Sequence, residues 1–285
     1  RELGKFLKEG SLYRGFKPVL WSTVEKTALA DAEVEYQDHK SDTIYASFQV
    51  KTSNLKELKD CEIIIWTTTP WTIPANKALA YNENLNYALI KISDEGDFKD
   101  KKIMIAESLI ESVVKDCNIN NHELVKRFKG KELKGTLCKH PFFDIGYGHD
   151  IPLLEANFVT TDQGTGIVHC APSHGPDDFN LCLNNGIKAI ETVDGDGKYT
   201  KNVNLFEGIH IFKANPLVIE KLKQQKKLLS NGELVHSYPH SWRSKAPLVH
   251  RATPQWFISM DSHKLRDKAL KAIDNTNFYP TKGKE

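Results

Sequence analysis

The sequence predicts an α+β fold, a strand-rich, β-barrel-like body with helices on its periphery. Three observations carry this expectation. Short apolar, β-branched segments recur along the chain, and helical periodicity is confined to a few brief stretches. The two kinds of segment do not alternate in the regular βαβ repeat of a parallel sheet. In chain order, residues 43–50 place Ile44, Ala46, Phe48 and Val50 on one side of a strand. Residues 62–69, 87–92, 102–106 and 166–170 read as further strands. Residues 107–117 set Leu109, Ile110, Val113, Val114 and Cys117 on one helical face. A second helix is expected from Pro216, with Asn215 as its N-cap, to the vicinity of Ser230, Asn231 and Gly232. A short third helix follows Pro176 and stops at Gly186.

The 285 residues, 40% hydrophobic and 27% charged, have the composition of an ordinary globular protein with ample length for a core. No apolar run approaches the roughly 18 residues of a membrane helix, and residues 1–10 mix charged and apolar side chains unlike a secretory leader. No membrane partner is therefore expected. Five scattered cysteines (Cys61, Cys117, Cys138, Cys170, Cys182) include no CxxC pair, which argues against a disulfide framework or zinc ribbon and for a reducing cytoplasm. A net charge of +2 does not diagnose a nucleic-acid binder. The lysine clusters at 221, 223, 226, 227 and at 99, 101, 102 read as solvated faces before phosphate contacts. Residues 1–42 and 236–285 are rich in aromatic, basic and proline residues and read as connecting stems around a body at 43–235. The initial arginine suggests a piece of a longer protein, and a monomer is the default expectation.

Two segments carry chemistry. The first runs Trp66-Thr67-Thr68-Thr69-Pro70-Trp71-Thr72-Ile73-Pro74-Ala75-Asn76. Three successive threonines offer hydroxyls on stiff, β-branched side chains, and two prolines restrict the backbone. Such a rim suits ribose hydroxyls or a carbonyl, although a strand end rich in threonine for its β propensity explains the composition equally. The second segment is Gly164-Thr165-Gly166-Ile167-Val168-His169-Cys170-Ala171-Pro172-Ser173-His174-Gly175-Pro176-Asp177-Asp178. Its glycines permit close backbone approach, and no Gly-Lys-Ser/Thr follows, so it is not a phosphate-binding P-loop. His169 and Cys170 adjoin on a strand and should point to opposite faces, which leaves a zinc reading the less favoured one. Asp178 also suits the first turn of a helix, and His169 also suits an ordinary buried histidine. Asp194-Gly195-Asp196-Gly197 opens like a calcium loop but lacks the later acidic ligands, so it reads as a turn.

Together these segments resemble the editing domain of the isoleucyl-tRNA synthetases. Residues 67–76 are similar to that site's threonine-rich segment, and residues 164–178 to its second half, of the form GTGxVHxAPxxGxDD. Residues 239–257 and the near-initial Tyr13-Arg14-Gly15 and Pro18-Val19-Leu20-Trp21 resemble the connections to the synthetic core. Valyl and leucyl relatives carry Thr-Thr-Arg-Pro where this chain has Thr67-Thr68-Thr69-Pro70, and lack the histidine found at His169. The HIGH and KMSKS signatures are absent, so no amino-acid activation is expected, and ATP and Mg are expected only for a synthetic domain outside this sequence. The resemblance implies hydrolysis of valine mischarged onto isoleucine tRNA, with the 3′ end of that tRNA and the rest of the synthetase as partners and no cofactor. It further implies that Asp178 holds the substrate's α-amino group, and that Thr67, Thr68 and Thr69 hold the terminal adenosine or a water. Trp71, Thr72 and Asn76 would shape the pocket. His169 would bound the side-chain space or act as a general base, and Gly164, Thr165, Gly166 and Ala171 would supply backbone walls.

Overall fold

The computed structural model describes residues 1–284 and divides them into two compact units, Pro18–Ala252 and the two chain ends, Arg1–Lys17 with the residues from Thr253 onward. The chain begins with α1 (Glu2–Lys8), β1 (Leu12–Ser22) and β2 (Thr27–Ala28). A long strand β3 (Val34–Thr52) precedes β4 (Glu62–Thr67), β5 (Ala78–Tyr81), β6 (Asn86–Ile92) and β7 (Lys102–Ala106). Then come α2 (Ile110–Asp116), β8 (His122–Lys129), β9 (Leu137–Lys139), β10 (Asp150–Glu155), β11 (Ile167–Cys170) and α3 (Pro176–Asn184). The chain closes with α4 (Asn215–Gln224), β12 (Leu228–Ser241), β13 (Val249–Ile258) and α5 (Leu265–Asp274). The first and last long strands and β2 belong to a separate three-stranded sheet.

The main sheet of the larger unit has ten strands in the order β11-β5-β10-β9-β3-β4-β7-β6-β8, with β12 also paired to β3. Most neighbours are antiparallel; β10 with β5 and β4 with β7 are parallel. The body is strand-rich with peripheral helices, as expected, but the expected barrel is not closed. The end strands β11 and β8 do not pair with each other among the described residues. The reason lies in β8, whose sequence HELVKRFK is exposed at every position but Phe128. Lysines and a glutamate along such an edge oppose further strand addition.

Burial explains the central order. In β4, Ile63, Ile64 and Ile65 are all fully buried, so both faces of this strand are covered and it sits inside the sheet. Each such side chain contributes on the order of 1.5–3 kcal/mol by leaving water. Glu62, at the start of the same strand, is also buried and is matched by Lys227, whose ammonium lies 2.8 and 3.0 Å from its two oxygens.

The helices depart from expectation in detail. Residues 107–117 form a 3₁₀ turn followed by α2 rather than one helix. The predicted helix from Pro216 to about residue 231 is cut short, because Lys226 takes a left-handed conformation (φ 54°) and β12 begins at Leu228 against Ala46 of β3. Leu228 and Leu229 pack against the core instead of extending the helix. Asn215 does not cap α4; its side chain accepts from the Trp71 N–H at 3.0 Å and donates to Asp42 at 2.9 Å. The helix after Pro176 ends at Asn184, two residues before Gly186, close to expectation.

Candidate functional site

The threonine-rich segment leaves the sheet at the end of β4. Pro70 and Pro74 cannot donate to a ladder, so residues Pro70–Ala75 wind into a 3₁₀ turn whose six side chains are all buried. That turn places Thr72 and Asn76 beneath Thr67 and Thr69, where a directed hydrogen-bond network forms. Asn76 is fully buried, and its amide donates to the Ala78 carbonyl at 2.9 Å and to His169 Nδ1 at 2.8 Å. With Nδ1 accepting, the proton of neutral His169 sits on Nε2, which donates to Thr72 Oγ1 at 2.7 Å. Thr72 in turn donates its only hydroxyl proton to the Thr69 carbonyl at 2.8 Å. Thr69 Oγ1 therefore donates to Thr72 across 3.3 Å, and Thr67 donates to Thr69 across 3.1 Å.

This arrangement decides what His169 can do. Burial, with a smaller contribution from the His174 charge, pushes its pKa down to about 3, so the ring is neutral. Both ring nitrogens are occupied, leaving no lone pair for a substrate or water proton. The geometry holds the ring in one orientation with both nitrogens engaged within the protein. Thr68 differs from its neighbours: its half-exposed hydroxyl has no hydrogen-bond partner among the described residues.

β11 carries the second motif. It pairs with β5, His169 opposite Leu79 and Cys170 opposite Ala78. The two side chains do point apart, His169 toward Thr72 and Asn76, and Cys170 into a small cluster with Ala78, Ala80 and Cys182. No group of three His, Cys, Asp or Glu side chains is placed to hold a metal ion among the described residues. Gly166 (φ 70°) owes its identity to packing: a Cβ there would lie 2.4 Å from Ala106 Cβ. Its carbonyl accepts from the buried Tyr87 hydroxyl at 2.9 Å. Gly164 (φ 82°) faces the Trp66 ring, and Thr165 turns inward to its own strand, bonding Ile167.

Asp178 lies in the first turn of α3 and accepts from the Ala171 N–H at 2.8 Å. Burial raises its pKa to about 6; the Ala171 bond opposes the shift and the neighbouring Asp177 adds to it. This half-buried carboxyl, with its raised pKa and no cationic partner among the described residues, is a candidate receptor for a positive group.

Two clefts flank the threonine run. One, of about 440 Å³, is bounded by Thr68, Thr69 and Trp71 together with His39, Asp42 and Tyr238. The other, of about 270 Å³, is bounded by Trp66, Thr67, Thr68, Phe158, Gln163 and the backbone of Gly164–Gly166. Thr67, Thr69, Thr72, Asn76 and His169 thus form one network, Trp71 stands apart on Asn215 and Tyr199, Gly164–Gly166 share a cleft with Thr67 and Thr68, and Ala171 holds Asp178. Asp178 and His169 bound neither of these clefts. Sequence reasoning missed His39, Asp42, Asn215 and Tyr238. Only Asn215 carried a local signal, and its position before a proline pointed to a cap.

The whole chain, residues 1–285, matches the family model of tRNA synthetases class I (I, L, M and V). It is 79% identical over 285 residues to the isoleucine–tRNA ligase of Pelagibacter ubique, covering 100% of this chain and 32% of that protein. With the isoleucine–tRNA ligase of Gluconobacter oxydans it shares 46% over 297 residues, 98% of this chain and 31% of that protein. The chain therefore spans about a third of the length of these relatives. Among solved structures, one described as GlLeuRS-CP1 superposes with a TM-score of 0.50 at 12% identity, covering 67% of this chain and 99% of that one, a likeness of fold alone. The conclusion is that this chain belongs to the class I tRNA synthetases, as a segment similar to the isoleucine–tRNA ligases.

Proposed function

We propose that this segment is an editing domain that hydrolyses the ester joining valine to isoleucine tRNA. The observation that carries the proposal is the cleft that Trp66, Thr67 and Thr68 share with Gly164–Gly166, which joins the two motifs in space. The ring of His169, fixed by Asn76 and Thr72, is linked to its rim through Thr69 and Thr67. A synthetic pocket that accepts isoleucine rejects valine by only about 1–3 kcal/mol, the worth of one methylene. A second site that admits valine and excludes isoleucine needs a wall that does not yield, and a ring hydrogen-bonded through both nitrogens supplies one.

The rest of the chemistry follows from positioning. An aminoacyl ester is already activated, so orienting a water and polarising the carbonyl suffice for its hydrolysis. The terminal adenosine fits the cleft between Trp66, Thr68 and the Gly164–Gly166 backbone, where Thr68 offers its unpartnered hydroxyl. Asp178 binds the α-ammonium by a charge-assisted hydrogen bond. Trp71 closes the neighbouring cleft. On this reading residues 43–235 form the editing body and 1–42 and 236–285 connect it to the rest of a cytoplasmic, monomeric synthetase. The reaction draws on no cofactor, and ATP and Mg belong to the synthetic domain.

The test is deacylation of valyl- and isoleucyl-charged isoleucine tRNA by this chain. The expected outcome is hydrolysis of the valyl form at a rate at least tenfold above the isoleucyl form, as about 1–3 kcal/mol of steric exclusion requires. Equal rates on both would refute the size sieve. Salt-sensitive tRNA binding with no hydrolysis would instead make the segment a tRNA-binding insertion.

A further inference from the structure

His174 belongs to the second motif but stands outside the hydrogen-bond network of His169. Its Nδ1–H donates to the His250 carbonyl at 2.9 Å, and its Nε2 accepts from the Thr192 hydroxyl at 2.8 Å. The ring edge meets the face of Trp71 with centroids 4.7 Å apart and planes at 74°. The Trp71 backbone is itself pinned, its N–H to Asn215 and its carbonyl by the Tyr199 hydroxyl. One residue before His174, the Ser173 carbonyl accepts from the Ala252 N–H at 2.9 Å. Residues 250 and 252 of β13 thus grip the segment that runs from Ala171 to Asp178.

β13 is anchored here by Arg251. Its Nε donates to the Val193 carbonyl at 2.8 Å, its Nη2 meets Glu191 at 2.6 Å, and its guanidinium stacks 4.6 Å from the Trp21 ring. Trp21 donates its indole N–H to the Gly195 carbonyl at 3.0 Å. The segment from Glu191 to Gly195 thus receives both Arg251 of β13 and Trp21 of β1. From this seat β13 continues without a break past Ala252 to Ile258.

We infer that His174 is a positioning residue that ties Trp71 and the Asp178 segment to β13, so that a displacement of this strand is passed to both halves of the proposed site. The inference rests on the editing reading for its consequence in activity and on geometry alone for the coupling. It assigns the histidine a task that neither metal binding nor proton transfer requires, because both of its nitrogens are occupied by protein partners.

The coupling is measured on the 285-residue chain by the indole N–H signal of Trp71 in a ¹H–¹⁵N spectrum, identified by its loss in Trp71→Phe. Arg251→Lys disturbs the seat of β13. It is expected to move the Trp71 signal, and the movement should shrink about threefold or more in the His174→Phe background, which keeps a ring on Trp71 but cannot reach His250 with a donor. His174→Asn, whose amide restores that donor, should recover the movement. Should His174→Phe not fold, His174→Gln, whose amide lies at the reach of Nε2 rather than Nδ1, replaces it with the same outcomes. Equal movement in both backgrounds, or none in the native one, overturns the inference. In deacylation, His174→Phe should lower kcat about tenfold with little change in KM, as misorientation does. Coupling without deacylation by the native chain would sink the editing reading alone, whereas deacylation without coupling would sink this inference alone.

Discussion

Asp178 is held in a form that favours its own protonation. Its folded pKa, about 6, lies above the ordinary 3.8, so the fold is more stable with this carboxyl neutral, and that contribution is lost as pH rises through 6. Asp178→Asn should therefore raise thermal stability at pH 7–8, by about 1 kcal/mol once its partial exposure is allowed for, while abolishing binding of a valyl-adenosine analogue. Loss of stability in this variant would mean the carboxylate is a structural partner. Binding of a cationic amine needs the carboxylate ionised and the amine protonated, so affinity should be highest between about pH 6 and the amine's own pKa of about 8, and fall about tenfold by pH 5. Calorimetric titration across that range checks the sign. Asn76 poses the complementary case. Asn76→Ala strands His169 Nδ1 and the Ala78 carbonyl without a donor, at a cost of about 1–3 kcal/mol, and frees the ring to turn. Isoleucyl-tRNA deacylation should rise in this variant relative to the valyl reaction; an unchanged ratio would show that the wall does not depend on Asn76.

At the scale of the element, the 3₁₀ turn Pro70–Ala75 and strand β11 do the positioning. Thr72 and Thr68 lie four residues apart and have opposite commitments. Thr72→Val removes a hydroxyl that serves His169, Thr69 and its own turn, and should cost about 1–3 kcal/mol in chemical denaturation. Thr68→Val removes a hydroxyl with no protein partner and should leave stability within about 0.5 kcal/mol while lowering deacylation. The reverse order would show that Thr68 belongs to the fold and Thr72 to the ligand. β11 owes its place to Gly166, since any larger residue would drive a Cβ into Ala106 of β7 in a left-handed conformation.

The whole molecule sets where a working piece can be cut. β3 runs through residue 42 and β12 through residue 235, so a chain trimmed to 43–235 loses the pairs between Val34–Asp42 and their partners on β12. It also loses His39, Asp42 and Tyr238 from one cleft, and the anchors of Trp21 and Arg251. The larger compact unit, residues 18–252, should accordingly unfold at a higher temperature than 43–235, and scanning calorimetry of the two decides whether the stems are part of the folded body.

Much of this was legible in the residues themselves. Alternation at residues 43–50 and apolar, β-branched runs at 62–69, 87–92, 102–106 and 166–170 located the buried strands β3, β4, β6, β7 and β11, whereas more polar strands such as β8 and most of β12 carry no such pattern. The opposed directions of His169 and Cys170 followed from the same pleat. The threonine-rich and GTG segments marked the site because they resemble a known one. What no local pattern contained were contacts between residues far apart in the chain. Asn215 reads as a cap until Trp71 and Asp42 are seen beside it, and Ser230–Gly232 reads as a helix end until β3 offers Leu228 a partner. The strand-rich body with peripheral helices was legible, but the openness of its sheet was not, since closure depends on which strands meet at the ends. Most decisively, the sequence by itself named His169 and left it either base or wall. Only the tertiary structure brings Asn76 and Thr72 to its two nitrogens from about a hundred residues away, because a ring's hydrogen-bond partners are chosen by chain crossings that no local pattern records.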